Sequence, residues 1–341
     1  MSIAKIIHLI ADLSLGGVTK NLEVFEQPFL ANKYTSERAA VKPEWKMANR
    51  YEADIIITHF SPSWANLPYL YSLRKKNPKA KIFHMEHSYS PEWEAHNVPE
   101  PHRFRMMLKL CYAQFDKVIC VSKTQSEWLM KINVLTSEQF EIINPWCELA
   151  PLLDIKLPDF WNAKPLTIGC YGRLVKEKGF QDLLEAFLGM PQLGDMKLKI
   201  GGYGPDEQLL KYLARTNPNV EFHGLVEDVA QFMKSCDIIA VPSYFETFGL
   251  VATEALAAGR PVMVSPVGAL VEQMGNAGLT VNFKNHRRTS NTLATLDQLP
   301  LKSMSKAGRD ASQNKQVCIL EAWDAFFRSV RSSDSLFSRA A

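Results

Sequence analysis

Two carboxylates share one short stretch, PSYFETFGLVATEALAAGRPV, which runs from Pro242 to Val262. They are Glu246 and, with seven residues between, Glu254. The preceding DIIAV (237–241) is an apolar run of the kind that forms a buried strand. The Ala/Leu-rich run around Glu254 reads as a helix, with Gly259 as its cap and Pro261 as its stop. A strand end, a turn and a helix start are therefore predicted, with Glu246 at the turn and Glu254 two turns in. A helix beginning near Phe248 leaves the amides of Phe248, Gly249 and Leu250 without intrahelical acceptors. With the helix dipole they form an anion site, and Gly249 lets a ligand approach the backbone. Eight helical residues rise about 12 Å at about 1.5 Å each. A nucleotide sugar has a similar span, with its sugar at Glu246, its diphosphate at the amides and its ribose diol at Glu254. A capped helix with two solvated glutamates fits the same spacing.

Two further stretches bear on that choice. GCYGRLVKEKGFQDLLEAF (169–187) places Arg173 and Lys178 in a loop after an apolar strand and before a helix. Two cations beside strand carboxyl ends suit a diphosphate, the arginine through its fork and the lysine as a point charge. A solvated basic loop has the same look. GGYGPDEQL (201–209) ends another strand in a glycine turn at Gly202 and opens a helix. It suits a nucleobase or phosphate, and a plain βα turn equally.

The elements that must position these residues alternate along the chain. Strands are predicted at 5–10, 37–41, 54–59, 81–85, 117–122 and 140–144, then at 166–171, 197–202, 220–224, 237–241, 261–265 and 278–282. Helices fall between them, for example Val18 to Leu30 and Thr124 to Ile132. That alternation implies an α/β protein of parallel βαβ units. The chain has 341 residues, enough for two domains. The proline-rich, aperiodic stretch from Asn144 to Leu166 reads as the linker. The expected division is 1–155, then 156–318, then a terminal helix (319–330) crossing back to the first domain, with a frayed tail. Two doubly wound sheets bind ligands beyond their strand carboxyl ends, so a cleft between the domains is the expected site.

Composition narrows the classes. Charged residues are 22% and hydrophobic residues 46%, with 39 basic against 36 acidic. A net charge of +3 argues against nucleic-acid binding. No apolar run approaches the roughly 20 residues of a membrane span, and the N-terminus lacks a signal-peptide pattern. The six cysteines show no C-x-x-C or zinc spacing, which fits reduced thiols in a cytoplasmic protein.

GRLVKEKGFQDLLEAF, GGYGPDEQLL, VEFHGLVEDV, the E-x7-E stretch with its A-x-G-R-P-V, and SPVGALVEQM occur in this order. Together they resemble the donor domain of the family 4 glycosyltransferases, retaining enzymes of the GT-B fold with two Rossmann-like domains facing a cleft. The resemblance covers nearly all of 165–285. It implies that Arg173 and Lys178 bind the donor diphosphate, that Glu246 contacts the donor sugar near the reacting carbon, and that Glu254 binds ribose. The first half is less similar. DLSLGGVTKNLEVF (12–25) resembles the family's first glycine loop, with Gly16 and Gly17 close to the donor. It is not G-x-G-x-x-G, which counts against a dinucleotide cofactor. KIFHMEHSYS (81–90) places His87 where the family often carries a histidine near the donor sugar. His59 sits at a neighbouring strand end, and His84 reads as structural.

No D-x-D motif appears. Arg173, Lys178 and a helix terminus can neutralise leaving-group charge, so a metal-independent reaction with no cofactor beyond the donor substrate is expected. Arg103, Arg105 and Lys109, interleaved with Phe104, Met107 and Leu108, form an amphipathic stretch, and Arg74 to Lys81 adds positive charge. An ordinary packed helix with a solvated loop explains this. So does weak peripheral contact with an anionic membrane at its inner face, where a glycan or lipid-linked acceptor is taken up. The resulting expectation is transfer of a sugar from a nucleotide-diphosphate sugar in cell-surface polysaccharide or lipopolysaccharide assembly. Alternatives are a non-catalytic sugar-nucleotide-binding subunit and a sugar-nucleotide epimerase of the same fold.

Overall fold

Aliphatic runs with almost no polar interruption cannot remain in water on either face, and parallel sheets covered by helices accommodate them. The computed structural model describes residues 4–12, 16–160, 165–190 and 196–337, with side chains through residue 330. Among these, every predicted strand is present. The first sheet comprises β1 (Ala4–Ile10), β2 (Tyr34–Ala40), β3 (Ile55–Thr58), β4 (Lys81–Glu86), β5 (Lys117–Cys120) and β6 (Phe140–Ile142). The second comprises β7 (Thr167–Tyr171), β8 (Lys197–Gly201), β9 (Val220–Gly224), β10 (Ile238–Val241), β11 (Val262–Val264) and β12 (Gly278–Thr280). All pairings are parallel, with Ile6 beside Ile55 and Ile239 beside Val262, for example. The central strands β3 and β10 are buried along their whole length.

Strand order decides where ligands can bind. The sheets run β2-β1-β3-β4-β5-β6 and β12-β11-β10-β7-β8-β9. Order reverses beside β1 in the first sheet and beside β7 in the second. Connections leaving the two strands at a reversal depart to opposite faces and open a crevice at the carboxyl ends. In the second sheet that crevice lies between the loops after β7 and β10. These loops carry Arg173 and Lys178, and Glu246, respectively.

The chain forms two compact units, residues 1–147 with 316–341, and residues 148–315. The first change of unit precedes residue 155 because the linker is already committed to the second unit. Its helix Ala150–Leu153 is tied there: Arg309 donates to the carbonyls of Leu153 and Ile155, the latter at 2.6 Å, and Arg260 to that of Lys156 at 3.0 Å. Helix Lys315–Phe337 begins in the second unit and otherwise belongs to the first. Its Trp323, Phe326 and Phe327 are buried there, against Phe25, Tyr34 and Phe83. It extends past the expected 319–330 into the stretch read as a frayed tail. The last four residues of that stretch lie outside the described residues.

One predicted helix is broken. Instead of Val18–Leu30 there are Gly17–Asn21, a 3-10 segment Leu22–Glu26, and Pro28–Ala31. Pro28 excludes the helical conformation from Gln27, which is extended at ψ 135°. The helix predicted at Thr124–Ile132 forms at Lys123–Lys131, with Ser122 as its cap.

Candidate active site

The second unit brings together residues distant in sequence. Lys178 closes a 3-10 turn, Lys176–Lys178, after β7. The amide of Tyr244, in the loop after β10, donates to the Glu177 carbonyl at 2.8 Å, which ties the two loops together. Lys178 Nζ forms an ion pair with Glu246 Oε1, and the buried Ser243 hydroxyl donates to the same oxygen at 3.0 Å. A cation suited to a departing phosphate thus touches the carboxylate expected at the sugar. Arg173 is exposed on the same β7 loop and has no ion pair among the described residues.

Gly202 holds the floor of this loop cluster. Its φ is 124°, and a Cβ there would lie 1.8 Å from the carbonyl oxygen of Gly172. The turn after β8 therefore packs directly on the turn that begins the Arg173 loop, and the amide of Leu174 donates to Tyr203 O at 2.8 Å. No other residue fits at position 202 without moving that backbone.

Glu254 lies on helix Leu250–Ala257, is 5% exposed, and accepts a hydrogen bond from the Tyr171 hydroxyl at the end of β7. The helix starts later than predicted. Gly249 is its N-cap at φ 89°, a left-handed conformation that no residue inside a right-handed helix adopts. The amides of Phe248 and Gly249 therefore precede the first helical turn, and Phe248 is buried, its carbonyl bonded by Gln273 at 2.5 Å. The 12 Å helical ruler consequently fails, because the first half of the Glu246–Glu254 span is turn and only the second half is helix.

In the first unit, Gly16 is extended at φ −170°, and a Cβ there would meet nothing within 4 Å. Packing among the described residues therefore does not require glycine at that position. Gly17 opens the next short helix, and residues 13–15 of this loop lie outside the described residues. His87 follows β4 and is partly exposed, and burial lowers it to about 4, so its ring is neutral near pH 7. It bonds His59, 3.1 Å away between Nε2 and Nδ1.

Its loop is anchored by Glu86, a residue the sequence reading did not single out. The Glu86 carboxylate is wholly buried. It accepts from the amides of Ser88 (2.6 Å) and Tyr89 (3.1 Å), bonds His84 Nε2 (3.2 Å), and accepts from the Tyr112 hydroxyl (2.5 Å). Burial pushes its pKa up, but the bonds from His84, Tyr112 and Ser88 and the His84 charge outweigh this, and the net shift is downward. An acidic residue closing the strand KIFHME is its one sequence signal. His84 is structural, held between Glu86 and Thr58 Oγ1 at 2.8 Å.

The basic helix Pro101–Tyr112 packs beside helix Leu67–Lys76. Arg105 does not belong to its exposed face. It makes a bidentate pair with the buried Glu94, at 2.7 and 3.1 Å. Arg74 is likewise taken by Asp116 at 2.8 Å. Exposed are Arg103, Met106, Lys109 and Leu110, with Tyr71, Lys75 and Lys79 on and after the neighbouring helix. Among the described residues no helix is long and apolar enough to cross a membrane, and no group of three or more His, Cys, Asp or Glu side chains converges on a metal site.

Comparison with known proteins identifies the family and the fold. Residues 21–150 match the family described as Glycosyltransferase Family 4, and residues 165–297 match Glycosyl transferases group 1. The chain belongs to the family 4 glycosyltransferases, and its fold is GT-B. A sucrose-phosphate synthase from Thermosynechococcus elongatus superposes with a TM-score of 0.77 at 20% identity, covering 96% of this chain and 100% of that one. HepE of Anabaena, solved with UDP-glucose, gives 0.72 at 18% identity, with 96% and 100% coverage. A GDP-mannose-dependent α-(1-6)-phosphatidylinositol dimannoside mannosyltransferase of Mycobacterium tuberculosis is 38% identical over 111 residues, 31% of this chain and 29% of that protein. The first curated relatives are matched over less than half of their own length.

Proposed function

We propose that the protein is a retaining glycosyltransferase that moves a sugar from a nucleotide-diphosphate sugar to a glycan or glycolipid acceptor in cell-surface polysaccharide assembly. The observation that carries this reading is the pairing of Lys178 with Glu246 at the reversal of strand order in the second unit. Arg173 lies on the same loop as Lys178, and Glu254 on the helix that follows Glu246. Lys178 and Arg173 neutralise the departing diphosphate without a metal, Glu246 faces the donor sugar, Glu254 holds the ribose diol, and Gly202 and the Phe248–Leu250 turn give backbone access to the nucleotide. In the first unit, Gly16, Gly17 and His87 are the residues for which the family resemblance supports a donor-binding role. An acceptor hydroxyl attacks the anomeric carbon on the face from which the phosphate leaves. The bond from carbon to phosphate oxygen breaks, and the hydroxyl proton passes to that phosphate. The nucleotide sugars carried by HepE and named for the mycobacterial enzyme support this donor class.

Incubation with a panel of nucleotide sugars, UDP-glucose and GDP-mannose among them, tests the proposal. Slow release of nucleoside diphosphate without acceptor is expected. Binding without release would indicate a non-catalytic subunit, and appearance of a second nucleotide sugar would indicate an epimerase.

A lipid-linked acceptor is the reading we favour for the first unit. Arg103, Lys75, Lys79 and Lys109 lie among exposed Met106, Leu110 and Tyr71, a mixture suited to an anionic headgroup layer. Each basic residue contributes about 1 kcal/mol near such a surface, screened within a Debye length. Co-sedimentation with anionic vesicles at low salt, reduced by Arg103→Glu/Lys109→Glu, is expected. Equal sedimentation of both proteins would return this face to ordinary solvent exposure and favour a soluble acceptor.

A further inference from the structure

The loops that carry Lys178 and Glu246 are fastened to each other at successive points within the second unit. Gly179, directly after Lys178, takes a φ of 67°, and a Cβ there would lie 2.1 Å from the carbonyl oxygen of Pro242. Next, the Tyr244 amide bonds the Glu177 carbonyl. Beyond that, the Tyr244 hydroxyl donates to Asp182 Oδ2 at 2.7 Å, in the first turn of helix Phe180–Leu188. The other oxygen of Asp182 bonds His286 Nε2 at 2.9 Å, and His286 Nδ1 lies 3.3 Å from Glu185 Oε2. His286 opens helix His286–Leu293, and Lys284, just before it, places Nζ 3.9 Å from the centre of the Tyr244 ring.

Burial, the bond to Asp182 and the Asp182 charge all raise the Tyr244 phenol, so it stays a donor near pH 7. A hydroxyl on a carboxylate makes a charge-assisted bond, stronger than one between neutral groups. Tyr244 stands two positions before Glu246, a reach of about 7 Å even for an extended chain. Fixing its ring therefore limits where the Glu246 carboxylate can stand. Lys178 is held separately, because its turn closes on itself: the Lys178 amide bonds Val175 O at 2.9 Å and the Gly179 amide Lys176 O at 3.0 Å. Loosening Tyr244 thus frees the glutamate and leaves the lysine in place. On the proposed function, Lys178 turns to the phosphate during reaction and its ion pair no longer restrains Glu246. The carboxylate then depends on Ser243 and on the anchored Tyr244.

We propose that Tyr244 and Asp182 are positioning residues that hold the Glu246 carboxylate in place while Lys178 engages the departing phosphate. The proposal rests on the reading that Glu246 faces the donor sugar and Lys178 the diphosphate. His286 supports the pair by fixing the second Asp182 oxygen, and Lys284 by its charge over the Tyr244 ring.

The test measures Tyr244→Phe in two backgrounds, wild type and Glu246→Gln. The readout is release of nucleoside diphosphate from UDP-glucose, GDP-mannose or whichever nucleotide sugar of the panel is turned over. In wild type, Tyr244→Phe is expected to lower kcat by on the order of tenfold, as misplacement of a reacting group does. Affinity for UDP or GDP, read by titration calorimetry, is expected to stay unchanged. In Glu246→Gln the same substitution is expected to cost almost nothing further, because the carboxylate it positions is gone. Asp182→Leu should match Tyr244→Phe, and the two combined should be no worse than either. Asp182→Asn keeps an oxygen for the Tyr244 hydroxyl and offers an N–H to His286 Nε2, so it should retain most of the rate. Equal loss from Tyr244→Phe in both backgrounds, unchanged kcat, or a loss of nucleoside diphosphate affinity as large as the loss of kcat would overturn the proposal. Tyr244→Phe removes one oxygen and keeps the ring, so it decides even where Asp182→Leu fails to fold. Wild-type turnover in Glu246→Gln alone would instead refute the sugar-facing role of Glu246, and the positioning role with it.

Discussion

Lys178→Ala is expected to lower turnover by on the order of 10²-fold or more and to weaken nucleoside diphosphate binding. The side chain closes the turn after β7 and is only partly exposed, so its charge acts in a setting less screened than bulk water. Its charge is paired with Glu246. On the proposed function, the charge that grows during reaction is on the donor phosphate, and this lysine would meet it. Substitution also leaves Glu246 without this cation, so melting temperature must be recorded to separate a lost contact from a lost fold. Addition of EDTA is expected to leave the wild-type rate intact. Unchanged affinity and rate in Lys178→Ala would remove the lysine from the site, and abolition by EDTA would overturn the metal-free reading.

The two glutamates are expected to separate cleanly. Glu254→Gln retains an oxygen for the Tyr171 hydroxyl but loses the charge offered to the ribose diol. Nucleotide binding should weaken roughly 10- to 100-fold, the equivalent of about 1.5–3 kcal/mol for a hydrogen bond to a charged group. Glu246→Gln frees Lys178 from its ion pair, so affinity for free nucleoside diphosphate should not fall. Turnover should nonetheless fall by roughly 10²-fold, because a carboxylate facing positive charge at the anomeric carbon has been neutralised. Isothermal titration with nucleoside diphosphate, set beside steady-state kinetics, distinguishes the two. Equal loss of affinity in both variants would mean that neither glutamate has been assigned correctly.

What the sequence disclosed depended on the range of the signal. Strands such as DIIITH and DIIAV are local runs of aliphatic residues, and their burial follows from composition alone. The loops after β7 and β10 read as candidate ligand loops because glycines and charges follow the strand ends. The partners of those charges were not legible. Lys178 meets Glu246 across 68 residues, and Tyr171 meets Glu254 across 83. Strand order, which no periodicity encodes, creates both contacts. The same holds for His59 and His87, which are bonded only because β3 and β4 are adjacent. Arg105 reads as one more charge on a basic helix, yet Glu94, eleven residues earlier, removes it from the surface. The helical ruler between Glu246 and Glu254 failed locally, at the left-handed Gly249.

The anomeric configuration of the product decides whether transfer proceeds with retention. With an α-linked nucleotide sugar that the protein turns over, ¹H NMR of the earliest product reports the anomeric configuration before mutarotation. The α anomer is expected, transferred or released with retention and accompanied by free nucleoside diphosphate. A β product formed at the same rate would contradict it, because inversion requires a base on the opposite face of the sugar, a role assigned to none of these residues.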